Sequence, residues 1–279
     1  MPREPDWMQV LNRCTLEVQN RIHPLLASSR QPQPDLGVGA GGDPIKQIDL
    51  AAEEAIVDAL RKNETSFTLI SEESGIKEYG EHPDTCYVTV DPVDGTTNLT
   101  RGIPFYATSI AVSTEPILSS VHAAIVTDLF HEVTYTARRG KGAYRNDTRI
   151  GPSENTSLDE VVIGIDLNSY NGQRTASRLT NLIDRIKHVR HFGANALELC
   201  YVADGTTDGF IDVRGKLRTT DVAAAWLIAE EAGAQVTLLE KKGLSVKLSP
   251  KQRVKFVASG NRKIHETILK LIKDEKDRE

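Results

Sequence analysis

The chain has 279 residues, 39% of them hydrophobic and 26% charged, with a formal net charge of −5. That is enough for one large domain or two modest ones of ordinary globular composition. A mild acidic excess with no basic block disfavours a nucleic-acid groove or a membrane-surface helix. Cys14, Cys86 and Cys200 are odd in number and form no CxxC pair, so neither a disulfide framework nor a zinc site is indicated, and they read as small core residues. No long apolar run follows the polar start of the chain; no signal peptide or transmembrane span is expected, and a reduced cytoplasm is the default.

Trp7, Leu11, Cys14, Val18, Ile22 and Leu25 recur at helical spacing and predict an amphipathic helix that Pro24 kinks or ends. The segment 31–42 is too rich in proline and glycine for a regular element and reads as a mobile loop. Asp49 can cap a second helix carrying Ala52, Ile56, Val57 and Leu60. Phe67-Thr68-Leu69-Ile70 is a short strand delivering Ser71, Glu72 and Glu73 at its end. Cys86-Tyr87-Val88-Thr89-Val90 reads as a buried strand, and Asp91-Pro92-Val93-Asp94-Gly95-Thr96-Thr97-Asn98 follows where it ends. Residues 106–114, 121–127 and 132–137 predict an antiparallel sheet, with turn residues at Arg139 to Gly142 and at Asn146-Asp147. Beyond about residue 150, strands at 161–166, 188–192, 208–213, near 236 and at 254–259 alternate with helices at 175–186, from 194, at 222–232 and from Lys263. This rhythm divides the chain into an N-terminal α+β half (1–150) and a C-terminal α/β half (151–279), read as one compact unit.

The 91–98 run carries the most chemical information. Two carboxylates three residues apart are joined by a proline that stiffens the turn and followed by a glycine that lets the backbone bend away. Hydroxyls and an amide come next, and hard oxygen ligands at such density suit Mg²⁺. Further acids fall where strands end or helices begin, at Glu72 and Asp221, with Asp43 in the glycine-rich loop. Taken alone, Asp221 reads as a helix cap, Glu72 as a solvated loop carboxylate and Asp43 as a turn former; the metal reading rests on the ensemble.

Three segments, Ser71-Glu72-Glu73-Ser74-Gly75, Asp91 to Asn98, and Asp221 to Gly233, resemble in order and spacing the inositol monophosphatase superfamily of Mg²⁺-dependent phosphatases. The stretches Val189 to Ala194, Glu198 to Gly205 and Asp208 to Arg214 are most similar to its archaeal-type branch, which acts on both fructose 1,6-bisphosphate and inositol phosphates. The resemblance implies a mixed α+β fold, an alternating αβαβα layered sandwich, in a cytoplasmic homodimer that serves carbohydrate metabolism (gluconeogenesis). It implies two to three Mg²⁺ ions, with Mn²⁺ as a substitute. Glu72, Asp91 and the Val93 carbonyl would hold one; Asp91, Asp94 and Asp221 a second; Glu72 and Asp43 would help hold a third and its water. Thr96 with Glu72 would orient the attacking water, and the Gly95 and Thr96 N–H groups would bind phosphate oxygens.

Arg190 and Arg214, with Asn195, are substrate candidates by the same resemblance, each arginine being equally readable as a surface ion pair. Asp212 matches an acid that inositol-specific relatives place on a substrate hydroxyl, or it can pair with Arg214. Thr219-Thr220 stand before Asp221 where many inositol-specific relatives have Trp, which favours the dual-activity branch. The leading expectation is hydrolysis of a small sugar phosphate, with no nucleic acid or membrane partner. The alternatives are a 3′(2′),5′-bisphosphate nucleotide phosphatase of the same superfamily and a catalytically idle phosphate-sensing protein on the same fold.

Overall fold

The first apolar stripe folds as α1 (Trp7–Ile22), whose N-terminus is closed by the Asp6 carboxylate accepting from the Met8 N–H at 3.2 Å. Pro24 follows in a short 3₁₀ turn, so the helix ends where the proline requires. The computed structural model describes residues 5–27, 35–168, 172–239 and 246–273; the first part of the proline-rich loop, to residue 34, lies outside them. The second helix, α2 (Gln47–Arg61), packs on α1. Lys46, not Asp49, is its N-cap; Asp49 lies inside the first turn and is buried.

The strands up to residue 149 build one sheet: β1 (Phe67–Ser71), β2 (Gly75–Tyr79), β3 (Tyr87–Asp94), β4 (Ala107–Ser113), β5 (Val121–Asp128), β6 (Val133–Arg138), β7 (Gly142–Arg145) and β8 (Thr148–Arg149), with the short helix α3 (Thr96–Arg101) after β3. Their order is β2-β1-β3-β4-β5-β6-β7-β8. β1 runs parallel to β3, and every other neighbouring pair is antiparallel. The meander expected over 106–137 is therefore present, as β4, β5 and β6.

The chain then builds a second sheet from β9 (Val162–Ile165), α4 (Gly172–Ile183), β10 (His188–Arg190), α5 (Asn195–Ala203), β11 (Gly209–Arg218), α6 (Thr219–Ala232), β12 (Gln235–Leu238), β13 (Arg253–Ser259) and α7 (Arg262–Lys273). The strand order is β10-β9-β11-β13-β12. β11 continues past the expected end at 213, and α6 begins directly after it at Thr219.

The layers alternate as αβαβα. Helices α1 and α2 cover the outer face of the large sheet, α5 and α6 lie between the sheets, and α4 and α7 cover the outer face of the small one. Three apolar clusters correspond to these three helical layers. Helix α6 is buried from Thr219 through Ala229 because both sides face a sheet. Its alanines allow close approach, and Trp226 fills the remaining space edge-on to Phe256 at 5.8 Å between ring centroids. All three cysteines are buried and free. Among the described residues no helix is long and apolar enough to cross a membrane.

Candidate active site

The carboxylates gather because of strand pairing. β1 is parallel to β3 with Ser71 opposite Val90, so the next residue on each strand, Glu72 and Asp91, also stand side by side. In a regular strand, side chains three residues apart point to opposite faces. Here the β3–β4 register slips: Asp91 pairs with Ser109 but Asp94 with Ala107, so β3 carries one residue more than β4 across this interval. That bulge contains Pro92, which has no N–H to leave unpaired, and it turns Asp94 to the same cleft as Asp91. The two acids thus sit within the bulged end of β3 rather than beyond it. Gly95 then takes φ +86°, and a Cβ there would lie 3.0 Å from the Ala194 Cβ, so only glycine lets α3 start here.

Asp221 comes from the other half of the chain, on the first turn of α6. It is not the cap residue itself; Arg218 is, and the Asp221 carboxylate accepts the Arg218 N–H at 2.8 Å. The N3 acid of the capping box and the candidate ligand are therefore one group. Asp94 likewise accepts from the N–H groups of Asn195 and Ala196, at 2.9 and 2.7 Å, and closes the N-terminus of α5. One carboxylate oxygen from each of Glu72, Asp91 and Asp221 lies within 4.8 Å of the others. Asp91, Asp94 and Asp221 are each 4% exposed, in a cleft of about 880 Å³.

Crowding acids away from water disfavours their ionised forms. Burial, followed by the charges of Asp221 and other neighbouring acids, pushes the Glu72 carboxyl up to about 10. Asp91 is raised by burial and then by Glu72 and Asp94. Burial also lifts Asp94 to about 7, against the opposing pull of the Asn195 N–H. Such a set of hard oxygens relaxes to ordinary ionisation when a small divalent cation neutralises it, and the donor chemistry fits Mg²⁺ or Mn²⁺ rather than a thiophilic metal.

Thr96, at the start of α3, lies between two acceptors: Asp49 Oδ1 at 3.0 Å and the Val93 carbonyl at 2.9 Å. A hydroxyl has one proton, so it serves one of them at a time. Burial pushes Asp49 up to about 7, so near neutrality this carboxyl can carry the second proton. The Val93 carbonyl keeps a lone pair for another partner. Asn98, grouped by sequence with the oxygen ligands, does different work: its amide donates to the Phe105 and Phe192 carbonyls at 2.8 and 2.7 Å and ties α3 to the start of α5.

The remaining candidates divide. Arg214 lines the cleft and is 5% exposed at its side chain, held by Asp166, by Asp212 (3.1 Å from Nε) and by the Asn168 carbonyl at 2.7 Å. Asp212 is fully buried behind it, so the structure places the acid on the arginine. Asn195 lines the cleft, and its buried Oδ1 has no hydrogen-bond partner. Arg190 is exposed, outside the cleft lining, and donates to the Val189 carbonyl at 2.9 Å. Asp43 reaches the cleft mouth and pairs with Arg218.

Sequence reasoning missed Asp49 and Arg218. Asp49 had a visible signal, since it falls on the apolar stripe of its own helix, in line with Ala52 and Ile56, where an acid needs a partner. Glu53, equally buried there, accepts from the Ser71 hydroxyl and, at 3.2 Å, from the Ser74 N–H, bracing the turn that carries Glu72. Arg218 had only its place three residues before Asp221.

Residues 7–277 match the model of the inositol monophosphatase family. The chain is 36% identical over 275 residues to a fructose-1,6-bisphosphatase/inositol-1-monophosphatase of Methanothermobacter thermautotrophicus, covering 95% of this chain and 96% of that one. It is 29% identical to a bifunctional NADP phosphatase/NAD kinase of Methanococcus maripaludis, covering 95% of this chain and 49% of that longer one. Among solved structures, an inositol monophosphatase-fructose 1,6 bisphosphatase matches with a TM-score of 0.83 at 27% identity, over 96% of this chain and 100% of that one.

Proposed function

Because the chain belongs to the inositol monophosphatase family, we propose that it is a Mg²⁺-dependent phosphomonoesterase acting on fructose 1,6-bisphosphate and inositol 1-phosphate. The observation that carries this reading is the convergence of Glu72, Asp91 and Asp221 from three separate elements, with Asp94 in the same cleft. Mg²⁺ held there would neutralise the phosphate dianion, lower the pKa of a water and stabilise the leaving alkoxide.

Glu72, Asp91, Asp94, Asp221 and the Val93 carbonyl are the ligands, with Asp43 contributing from the loop. Thr96, which donates to Asp49, would accept a hydrogen bond from the attacking water, and Asp49 would take up that proton through the Thr96 hydroxyl. The N–H groups of Gly95 and Thr96, at the start of α3, would bind the transferred phosphoryl oxygens. Arg214, whose fork is held by Asp166, Asp212 and the Asn168 carbonyl, keeps one Nη1 N–H for the distal part of the substrate, and the unpartnered Asn195 Oδ1 accepts from a sugar hydroxyl. Arg190 has a substrate role only if its side chain swings from the Val189 carbonyl into the cleft.

The test is phosphate release from fructose 1,6-bisphosphate, inositol 1-phosphate, adenosine 3′,5′-bisphosphate and NADP, each with Mg²⁺ and with a chelator. Mg²⁺-dependent release from the first two is expected. Release confined to the nucleotides would keep the metal chemistry and overturn the sugar-phosphate assignment. No release from any of the four would overturn the enzymatic reading.

A further inference from the structure

The guanidinium of Arg218 sits among the very oxygens assigned to a loop-side ion. Its side chain is 10% exposed. Nη1 is 2.6 Å from Glu72 Oε1 and 3.6 Å from Asp221 Oδ1, Nη2 pairs with Asp43, and Nε donates to the Gly41 carbonyl at 3.3 Å. The loop carrying Asp43 is folded down over it. The Ala40 and Gly41 N–H groups donate to the Glu73 and Glu72 carbonyls at 3.0 and 2.8 Å, and Arg253 holds the Gly41 carbonyl from another side at 2.8 Å. A Cβ at Gly41 would lie 2.6 Å from Arg218 Nε and 3.0 Å from Glu72 Cγ, so any side chain there would push the arginine from its place under the loop.

A cation bound by Glu72 and Asp43 has to share with Arg218 the two carboxylates that its guanidinium bridges. A guanidinium and a divalent ion a few ångströms apart in a desolvated cleft repel each other strongly. The Arg218 backbone is fixed by its N–H bond to Asp221, so only its side chain can yield. We propose that Arg218 is an internal counter-cation that competes with the loop-side ion for Glu72 and Asp43: it clamps the 39–43 loop when that ion is away and sets how much ion is needed to displace it. This rests on the reading of Glu72 and Asp43 as ligands.

The experiment is Mn²⁺ titration, by calorimetry and by the loss of the free-ion paramagnetic signal, of the chelator-treated full chain as wild type, Arg218→Gln and Arg218→Lys. Arg218→Gln is expected to bind its weakest ion about tenfold more tightly than wild type, the scale on which groups next to the ligands tune metal affinity. Arg218→Lys, which keeps a charge but cannot span both acids, is expected to fall between. A residue that merely braces the fold would weaken Mn²⁺ binding or leave it unchanged, and either result in both variants overturns the proposal. Should Arg218→Gln fail to fold, the Lys variant decides alone. Hydrogen exchange gives a second readout: the Ala40 and Gly41 amides should exchange faster in the chelator-treated variants than in wild type, and Mn²⁺ should restore their protection. Wild type that binds no Mn²⁺ would remove the ligand assignment and the competition with it, whereas normal wild-type binding with unaltered variants would remove the competition alone.

Discussion

At Thr96 a single hydroxyl proton stands between a buried acid and a backbone carbonyl, and the site's proton chemistry is set by that arrangement. Asp49→Asn keeps the shape and a hydrogen-bonding side chain but removes the group able to take up a proton. The expected result is a fall in kcat on the order of a hundredfold at saturating Mg²⁺, with the Mg²⁺ concentration for half-activity little changed. A parallel loss of Mg²⁺ affinity would show that Asp49 acts on the ligands instead. The sequence displayed the proposed ligand acids because Asp91, Asp94 and Asp221 stand in short, distinctive runs. It displayed Asp49 poorly because a helix-cap explanation was available, and only the tertiary partner, Thr96, forty-seven residues on, distinguishes the two roles.

Elements bring acids together that would not choose to be neighbours, and this cost has a pH signature. Burial lifts Asp49 and Asp94 to about 7 and Glu72 to about 10. Without metal, the folded protein therefore holds protons that the unfolded chain has already released. Stability is unaffected below the unfolded carboxylate pKa of about 4 and is lost as pH rises from there through the folded values. The Tm of chelator-treated protein should thus fall steadily between about pH 5 and pH 9, and saturating Mg²⁺ should abolish the fall. A Tm that stays flat or rises over that window would contradict the electrostatic reading of the cluster. On β11 the same reasoning concerns Arg214, whose orientation depends on Asp212. Arg214→Ala should raise KM for the bisphosphate by about tenfold and for inositol 1-phosphate by much less. Asp212→Asn should shift both in the same sense, because it loosens the arginine; equal losses on the two substrates would make Arg214 a scaffold residue. The β3 bulge and the continuation of β11 were not legible from residue types. Pro92 and Gly95 read as a turn after a strand, whereas pairing with the neighbouring strand β4 keeps the backbone extended through Asp94.

Across the whole molecule, the αβαβα layering follows from three apolar helical faces and two sheets, and much of it was visible as a change from strand-rich to alternating rhythm. What periodicity could not assign was the partner of α6, an unbroken apolar helix that gives no preferred face. It lies in the second half of the chain yet packs largely on strands of the first, so the two halves share a core. We therefore expect no independent unfolding at residue 150: Trp226→Ala, at the centre of that core, should cost about 3–5 kcal/mol and leave one cooperative transition, and two separate transitions would show that the halves are autonomous. On the proposed reading, metal held by acids from both halves drives phosphate release. The most direct test of that reading is the Mg²⁺ dependence of phosphate release from fructose 1,6-bisphosphate by wild type and Asp91→Asn side by side. Saturable activation of the wild type is expected and none of the variant at any Mg²⁺ concentration; equal release by both proteins, or release that persists with chelator, would overturn the metal assignment.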